Sequence, residues 1–449
     1  MKALNTISIL FSAALIATGL SSCENVDYPD RYHPTDGVPA IHSIRYADSD
    51  TYIEQAYMEE VICILGENLR SIHDIWFNDQ QAVLNTSYIT DNTLVVQIPK
   101  TMPEKETDKI YLVTTKKDTL EHAFRVLPPA PRVRRISFEY AGDGQEVTIY
   151  GNYFYQKPDS PLKIEFPNAD AGLIADSDIT LTAVKVKVPA GAQMGKIKVT
   201  TASGTGASEF IFRDDRGLLF DFDGTNGLYT INKGWHAVPV VENEGVGGSS
   251  CLMMDASGEQ FACKDGGDWH DGTCHFEYWA GNWQDPETYG TWDGRRLCDI
   301  LDFSNYSNMA LKFEVKIPED HPWTGCPMQI IFSDVTLVSN GSAGVKDIYG
   351  NTLAGCNNTY FNNAEVSLPR YLWRPWNGEF THTSGEWMTV TLPISEFTSY
   401  WDGTSATGKL SKESFANLEL FFAGGTSSEG TPGPGPVVYV DNIRVVPVK

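Results

Sequence analysis

The sequence predicts an all-β chain: two small tandem sandwiches followed by a larger jelly-roll-like β-sandwich. Three observations carry that expectation. The 449 residues include 39 Gly, 24 Pro and 12% aromatic side chains, which suits a turn-rich chain of strands, and no long segment has the apolar period of an amphipathic helix. Two stretches of the first half repeat one another. The second half then changes composition, since Trp76 is the one tryptophan before residue 217 and ten follow it. At this length two to four domains are expected. The formal charge of -24 argues against nucleic acid, whose phosphates need clustered Lys and Arg, and against anionic lipid surfaces. An uncharged partner fits better.

The chain opens on an address. Lys2 gives a positive start, Ile7 to Leu20 is apolar and interrupted by small residues, and Leu20-Ser21-Ser22-Cys23 ends the run with small side chains before a cysteine. These residues resemble the lipobox of bacterial lipoproteins. The resemblance implies that residues 1–22 are a cleaved signal peptide and that Cys23 is lipidated, each buried acyl methylene adding about 0.8 kcal/mol of membrane affinity. Residues 23–38 would be a flexible tether, and no later stretch is long and apolar enough to span a bilayer as a helix. Acidic Glu24 and Asp27 resemble the export tags of surface-exposed lipoproteins. The plainer alternative is a secretory signal with an incidental cysteine.

Residues 39–127 and 131–213 are the repeated pair, offset by about 85 to 90 positions. Pro39-x-Ile41-x-x-Ile44 answers Pro131-x-Val133-x-x-Ile136, GENL at Gly66 answers GNYF at Gly151, and IWF ending at Phe77 answers IEF ending at Phe166. TLVVQIP answers TAVKVKVP, IYLVTT answers KIKVTT, and Phe124 answers Phe210. Each unit is therefore several short alternating strands, the length of one small sandwich. The glycine of GENL and GNYF is expected where a bend needs positive φ or close backbone approach. These landmarks resemble the immunoglobulin-like domains called IPT or TIG, which implies a spacer role. Between them PPAP at 128–131 is extended and semi-rigid, so the spacing should be fixed. The cluster Tyr153, Phe154, Tyr155 reads as turn packing, with a small binding patch as the alternative.

Residues 217–449 should form the larger sandwich. MALKFEVKIP, PMQIIFSDV, EWMTVTLPI, LELFFAGG and VVYVDNIRVV each alternate or run apolar between turn residues, as in a two-sheet jelly roll. Cys63 inside VICIL reads as a buried small hydrophobe. Six further cysteines, Cys251, Cys263, Cys274, Cys298, Cys326 and Cys356, permit up to three disulfides or stay as buried thiols. Cys263, His270, Cys274 and His275 do not follow a closed zinc spacing.

The candidate site is YLWRPWNGEF at 371–380. Tyr371, Trp373 and Trp376 surround Arg374 and Pro375, and three large amphipathic rings around a guanidinium form a surface meant to touch a ligand, with ordinary core packing of a Trp-rich sheet as the alternative. Tyr371 and Trp373 share one side of an extended segment, Pro375 stiffens the path to Trp376, and Arg374 donates hydrogen bonds without titrating. Trp283 and Trp292 in NWQDPETYGTWDG and Trp323 in HPWTG sit in polar, turn-rich loops and join the ligand-contact set, whereas Trp387 reads as core. Trp269, Trp279 and Trp401 are not assigned.

In their order, ALKFEVKIPEDHPWTGCPMQIIF, YLWRPWNGEF, GEWMTVTLPISEF and VVYVDNIRV resemble the C-terminal domain of B-type surface glycan-binding lipoproteins encoded beside polysaccharide importers. That resemblance spans essentially the mature chain. It implies a non-catalytic protein, lipid-anchored in the outer membrane and facing the cell exterior. Its terminal sandwich would bind a β-linked glycan such as xyloglucan, β-glucan or mannan. Partners would be an outer-membrane importer and its other surface binding lipoproteins. No cofactor is expected, and Asp441, which resembles calcium-holding positions of some carbohydrate-binding sandwiches, does not by itself define a site of six to eight oxygens. The rivals are a glycosidase or lyase and a structural adhesin. A hydrolase needs two carboxylates about 5 to 10 Å apart, and Glu277, Asp285, Asp293 and Glu379 contain no motif that singles out a pair. An adhesin would carry its aromatics on the repeats, where they are mostly absent.

Overall fold

The computed structural model describes residues 33–224, 240–258, 260–261, 275–278, 295–333, 368–400, 403–422 and 433–448. The chain divides into two compact units after Pro129. In the first, Val61–Glu67 lies between Ala40–Tyr46 and Thr93–Gln97, while Ile72–Phe77 pairs with Lys109–Thr114, flanked by Gln80–Ala82 and Thr119–Ala123. Alternation decides which face is buried: Lys109–Thr114 turns Ile110, Leu112 and Thr114 inward. Ile110 and Leu112 meet Ile62, Ile64, Leu69, Ile75 and Phe77 in one core.

The second unit begins with the second repeat. There Glu146–Asn152 lies between Arg132–Ile136 and Ala183–Lys187, and Lys163–Phe166 pairs with Lys198–Thr201. Its core gathers Val133, Ile149, Phe154, Ile164, Phe166, Val184 and Val199. The repeat glycines are explained by crowding rather than dihedral angle. A Cβ on Gly66 would sit 2.0 Å from the Ala40 carbonyl oxygen, and one on Gly151 1.8 Å from that of Arg132. Positive φ comes two residues later, at Asn68 (56°) and Tyr153 (62°), and delivers buried Leu69 and Phe154 to their cores. The ring that answers Phe124 is Phe212, not Phe210. Phe124 meets Phe77 edge-on at 6.3 Å, and Phe212 meets Phe166 likewise at 5.1 Å. Phe210 is buried too.

All five strand segments expected in the last domain form strands of two antiparallel sheets. One sheet runs Val240–Val241, Cys251–Asp255, Val437–Pro447, Met309–Lys316, Met388–Pro393, with Leu218–Phe220 also on Val437–Pro447. The other runs His275–Tyr278, Asn417–Phe422, Met328–Ser333, Tyr371–Trp373. Leu311, Phe313 and Val315 face Met328, Ile330, Phe332, Leu418, Leu420 and Phe422 across one continuous core. Cys63 and Cys251 are free, buried thiols, Cys326 is buried and Cys298 half-buried; Cys263, Cys274 and Cys356 lie outside the described residues.

The second repeat docks on the outer face of the first of these sheets. Glu139 meets Lys312 at 2.5 Å and Arg444 at 2.8 Å, and Arg444 also binds Glu314 at 2.7 Å, all four side chains being buried. Two cations and two anions cancel, which is the condition for burying them. Thr389 ties in the backbone, donating its N–H to the Ser137 carbonyl at 3.0 Å, accepting from the Glu139 N–H at 2.7 Å and donating its hydroxyl to Glu314 at 2.9 Å. Trp387, expected in the sandwich core, instead packs half-buried against the core of the repeat.

Candidate functional site

Tyr371–Trp373 forms the edge strand of its sheet, with Trp373 opposite Met328 and Tyr371 opposite Ile330. The two aromatic rings share a face as their spacing requires, but that face is the inner one. Trp373 is 4% exposed and packs edge-on against Phe313 at 5.2 Å and Trp323 at 5.2 Å. Trp323 is fully buried, and its indole N–H reaches the carbonyls of Gly325 (2.9 Å) and Cys326 (2.8 Å). Both expected ligand contacts are therefore core residues. The physical reason is volume: two wide rings fill the space between the sheets, and the one polar atom of Trp323 finds acceptors inside.

The turn that follows stays at the surface. Phe380 N–H returns to the Pro375 carbonyl at 2.8 Å, Asn377 N–H to that of Arg374 at 3.0 Å, and Gly378 takes φ 98° to close the bend. Pro375 is buried as its anchor, and Trp376 lies half-buried with its indole N–H 3.4 Å from the Cys326 carbonyl. Arg374 is half-buried and donates to the Leu372 carbonyl at 3.3 Å. Tyr371, also half-buried, sits 5.5 Å from Phe397, and burial first, then Glu396 and Glu379, pushes its hydroxyl pKa up. Of the expected set the structure thus brings Arg374 and Trp376 to one surface turn, with Asn377 and Glu379 exposed beside them, while Tyr371 stays half-buried on the strand that leads into it. Trp283 and Trp292 lie outside the described residues, as do Trp269, Trp279, Trp401 and Cys23.

Sequence reading missed a polar layer on the opposite face of this sheet. His275, Glu277, Gln329, Ser333, Arg370, Asn417 and Glu419 are all buried there. Asn417 donates to Ser333 at 3.1 Å, Arg370 donates to Gln329, and His275 lies 3.5 Å from Glu419. Glu277 stands directly opposite Glu419, and burial pushes its carboxyl pKa up to about 7. The signal was visible: Gln329 and Ser333 in PMQIIFSDV, and Glu419 in LELFF, are polar at alternate positions of otherwise apolar strands. Asp441 accepts from Val246 N–H at 2.8 Å, Asn442 N–H at 2.7 Å and the Ser249 hydroxyl at 3.3 Å. Among the described residues no cluster of three His, Cys, Asp or Glu could hold a metal ion.

The family model described as the surface glycan-binding protein B xyloglucan binding domain matches residues 212–447. The chain is similar to the crystal structure of the surface glycan-binding protein PbSGBP-B from Prevotella bryantii, with 38% identity, a TM-score of 0.69, and coverage of 92% of this chain and 99% of that one. It is also similar to SGBP-B from a complex xyloglucan utilization locus in Bacteroides uniformis, at 15% identity and a TM-score of 0.38 over 92% of this chain and 100% of that one. An IPT/TIG domain-containing protein of Bacteroides ovatus is 28% identical over 157 residues, 33% of this chain, and the match spans 31% of that relative's own length.

Proposed function

The chain belongs to the surface glycan-binding protein B family, and from that membership we propose that it is a non-catalytic, lipid-anchored protein of the outer membrane that captures a β-linked polysaccharide for an uptake system. The observation that carries this function is the match of a xyloglucan-binding-domain model to residues 212–447, the part of the chain where ten of the eleven tryptophans are concentrated. Xyloglucan is accordingly the first ligand to test, ahead of mixed-linkage β-glucan and β-mannan. Trp376 supplies the stacking ring, Tyr371 a second aromatic surface, and Arg374 hydrogen bonds to hydroxyls or ring oxygens; Trp283 and Trp292, outside the described residues, stay in the set as ligand contacts to be tested by substitution. The matching family model and the Prevotella bryantii relative are both described as glycan-binding, which supports the non-catalytic reading.

Affinity electrophoresis of the full chain in gels containing each polymer tests the function. Retardation by xyloglucan without accumulation of reducing ends is expected. Migration unchanged in all three polymers would sink the proposal, and product accumulation would turn it toward an enzyme. The anchor is tested separately: Cys23→Ala should move the protein out of the membrane fraction, and unchanged fractionation would refute it.

A further inference from the structure

A cleft of about 650 Å³ opens where the second repeat meets the sandwich, a size in the range of small-molecule sites. Tyr371, Glu379, Phe380 and the edge strand Met388–Pro393 line it from one side, and Arg135 and Tyr150 from the other. Arg135 and Tyr150 are cross-strand partners, and the guanidinium carbon lies over the Tyr150 ring, 3.7 Å from its centre, so together they make one wall. Tyr371 and Phe380 provide aromatic surface opposite. At the mouth, exposed Arg135 and Glu379 offset each other in charge, and a chain of net charge -24 does not favour an anion. Glu139 at the floor is already committed to Lys312 and Arg444. Flat walls, hydroxyl-matching donors and acceptors at the rim, and no net charge are what a neutral pyranose requires.

We infer that this junction cleft is a saccharide subsite, in which the second repeat contributes Arg135 and Tyr150 to the glycan surface begun by Tyr371 and Trp376. The inference rests on the glycan-binding function proposed above and extends it to a domain expected to be only a spacer. The same turn carries Trp376, Glu379 and Phe380, so that ring and two lining residues of the cleft lie within five positions of one another. The buried ion network holds the two walls at a fixed separation before ligand arrives, which limits the entropy lost on binding.

Calorimetric titration of the full chain with xyloglucan, mixed-linkage β-glucan and β-mannan polymers tests it. The double variant Arg135→Ala/Tyr150→Ala removes one wall, and Thr391→Trp places a ring into the cleft from its exposed strand. Each should weaken binding of whichever polymer the wild type takes by about 5- to 100-fold, with melting temperature unchanged. Wild-type affinity in both, alongside a loss in Trp376→Ala, overturns the subsite and leaves glycan binding standing. No binding of any polymer by the wild type overturns both. If the double variant melts early, Thr391→Trp decides alone.

Discussion

Arg444 donates a 2.8 Å hydrogen bond to Glu139, a residue 305 positions away that belongs to a different sandwich. Lys312 shares the same carboxylate, and Arg444 reaches on to Glu314, so four buried charges hold two folds as one unit. Removing one member leaves the others buried and uncompensated. Glu139→Ala is expected to cost about 3–5 kcal/mol, read by urea unfolding of the full chain. A loss below about 1 kcal/mol would show that solvent enters and screens the network.

The second prediction separates core rings from surface rings. Trp323→Ala and Trp373→Ala should each cost about 3–5 kcal/mol of stability through lost packing, while the folded fraction binds glycan as the wild type does. Trp376→Ala should do the reverse, losing a stacking contact of ~1–3 kcal/mol, by analogy with bases on aromatics, with little change in melting temperature. Paired thermal melts and titrations distinguish the two patterns. Early melting of Trp376→Ala with normal affinity would place that ring in the core as well.

Close approach and dihedral freedom make different demands on glycine. Gly66→Ala and Gly151→Ala drive a methyl into a carbonyl oxygen of the neighbouring strand, and each should cost about 1–3 kcal/mol or more. Gly144 and Gly172, at φ 83° and 75° with nothing within 4 Å, should cost only the ~1–2 kcal/mol of a left-handed non-glycine residue. Denaturation midpoints of the four variants test that order.

Strand positions were legible because alternation is local: a residue's face follows from its neighbours two away, and the repeats supplied an independent check on register. Which face becomes interior is not local. Tyr371 and Trp373 were correctly placed on one side of an extended segment, yet that side turned out to face Phe313 and Trp323 across the sandwich, a relation set by chain segments distant in sequence. The HPWTG loop misled for a similar reason. Its polar, turn-rich composition describes the backbone path, while Trp323 folds back under it and satisfies its N–H internally. The docking of Glu139 on Arg444 left no local signal, since buried and solvated charges look alike in sequence.

The last prediction concerns pH. Burial pushes the Asp441 carboxyl pKa up from the ordinary 3.8 to about 7, with Glu314 and Asp223 adding to the rise and hydrogen bonds from Val246 and Asn442 opposing it. A carboxyl raised on folding binds its proton more tightly in the native state than in the unfolded chain. Between about pH 4 and 7 the folded protein therefore holds the extra proton, and stability falls as pH rises through that window, by at most about 1.4 kcal/mol per pH unit for one group. Above about pH 7 this contribution is spent and the curve flattens. Asp441→Asn keeps an acceptor for the Val246 N–H but cannot ionise, so its stability should change less between pH 4.5 and 7 than that of the wild type. Glu277, raised to about 7 by burial, acts in the same direction, which makes Glu277→Gln the control. Urea midpoints at four pH values across the window decide: an Asp441→Asn slope equal to wild type would assign the dependence to Glu277 or elsewhere and leave Asp441 with its backbone-holding role alone.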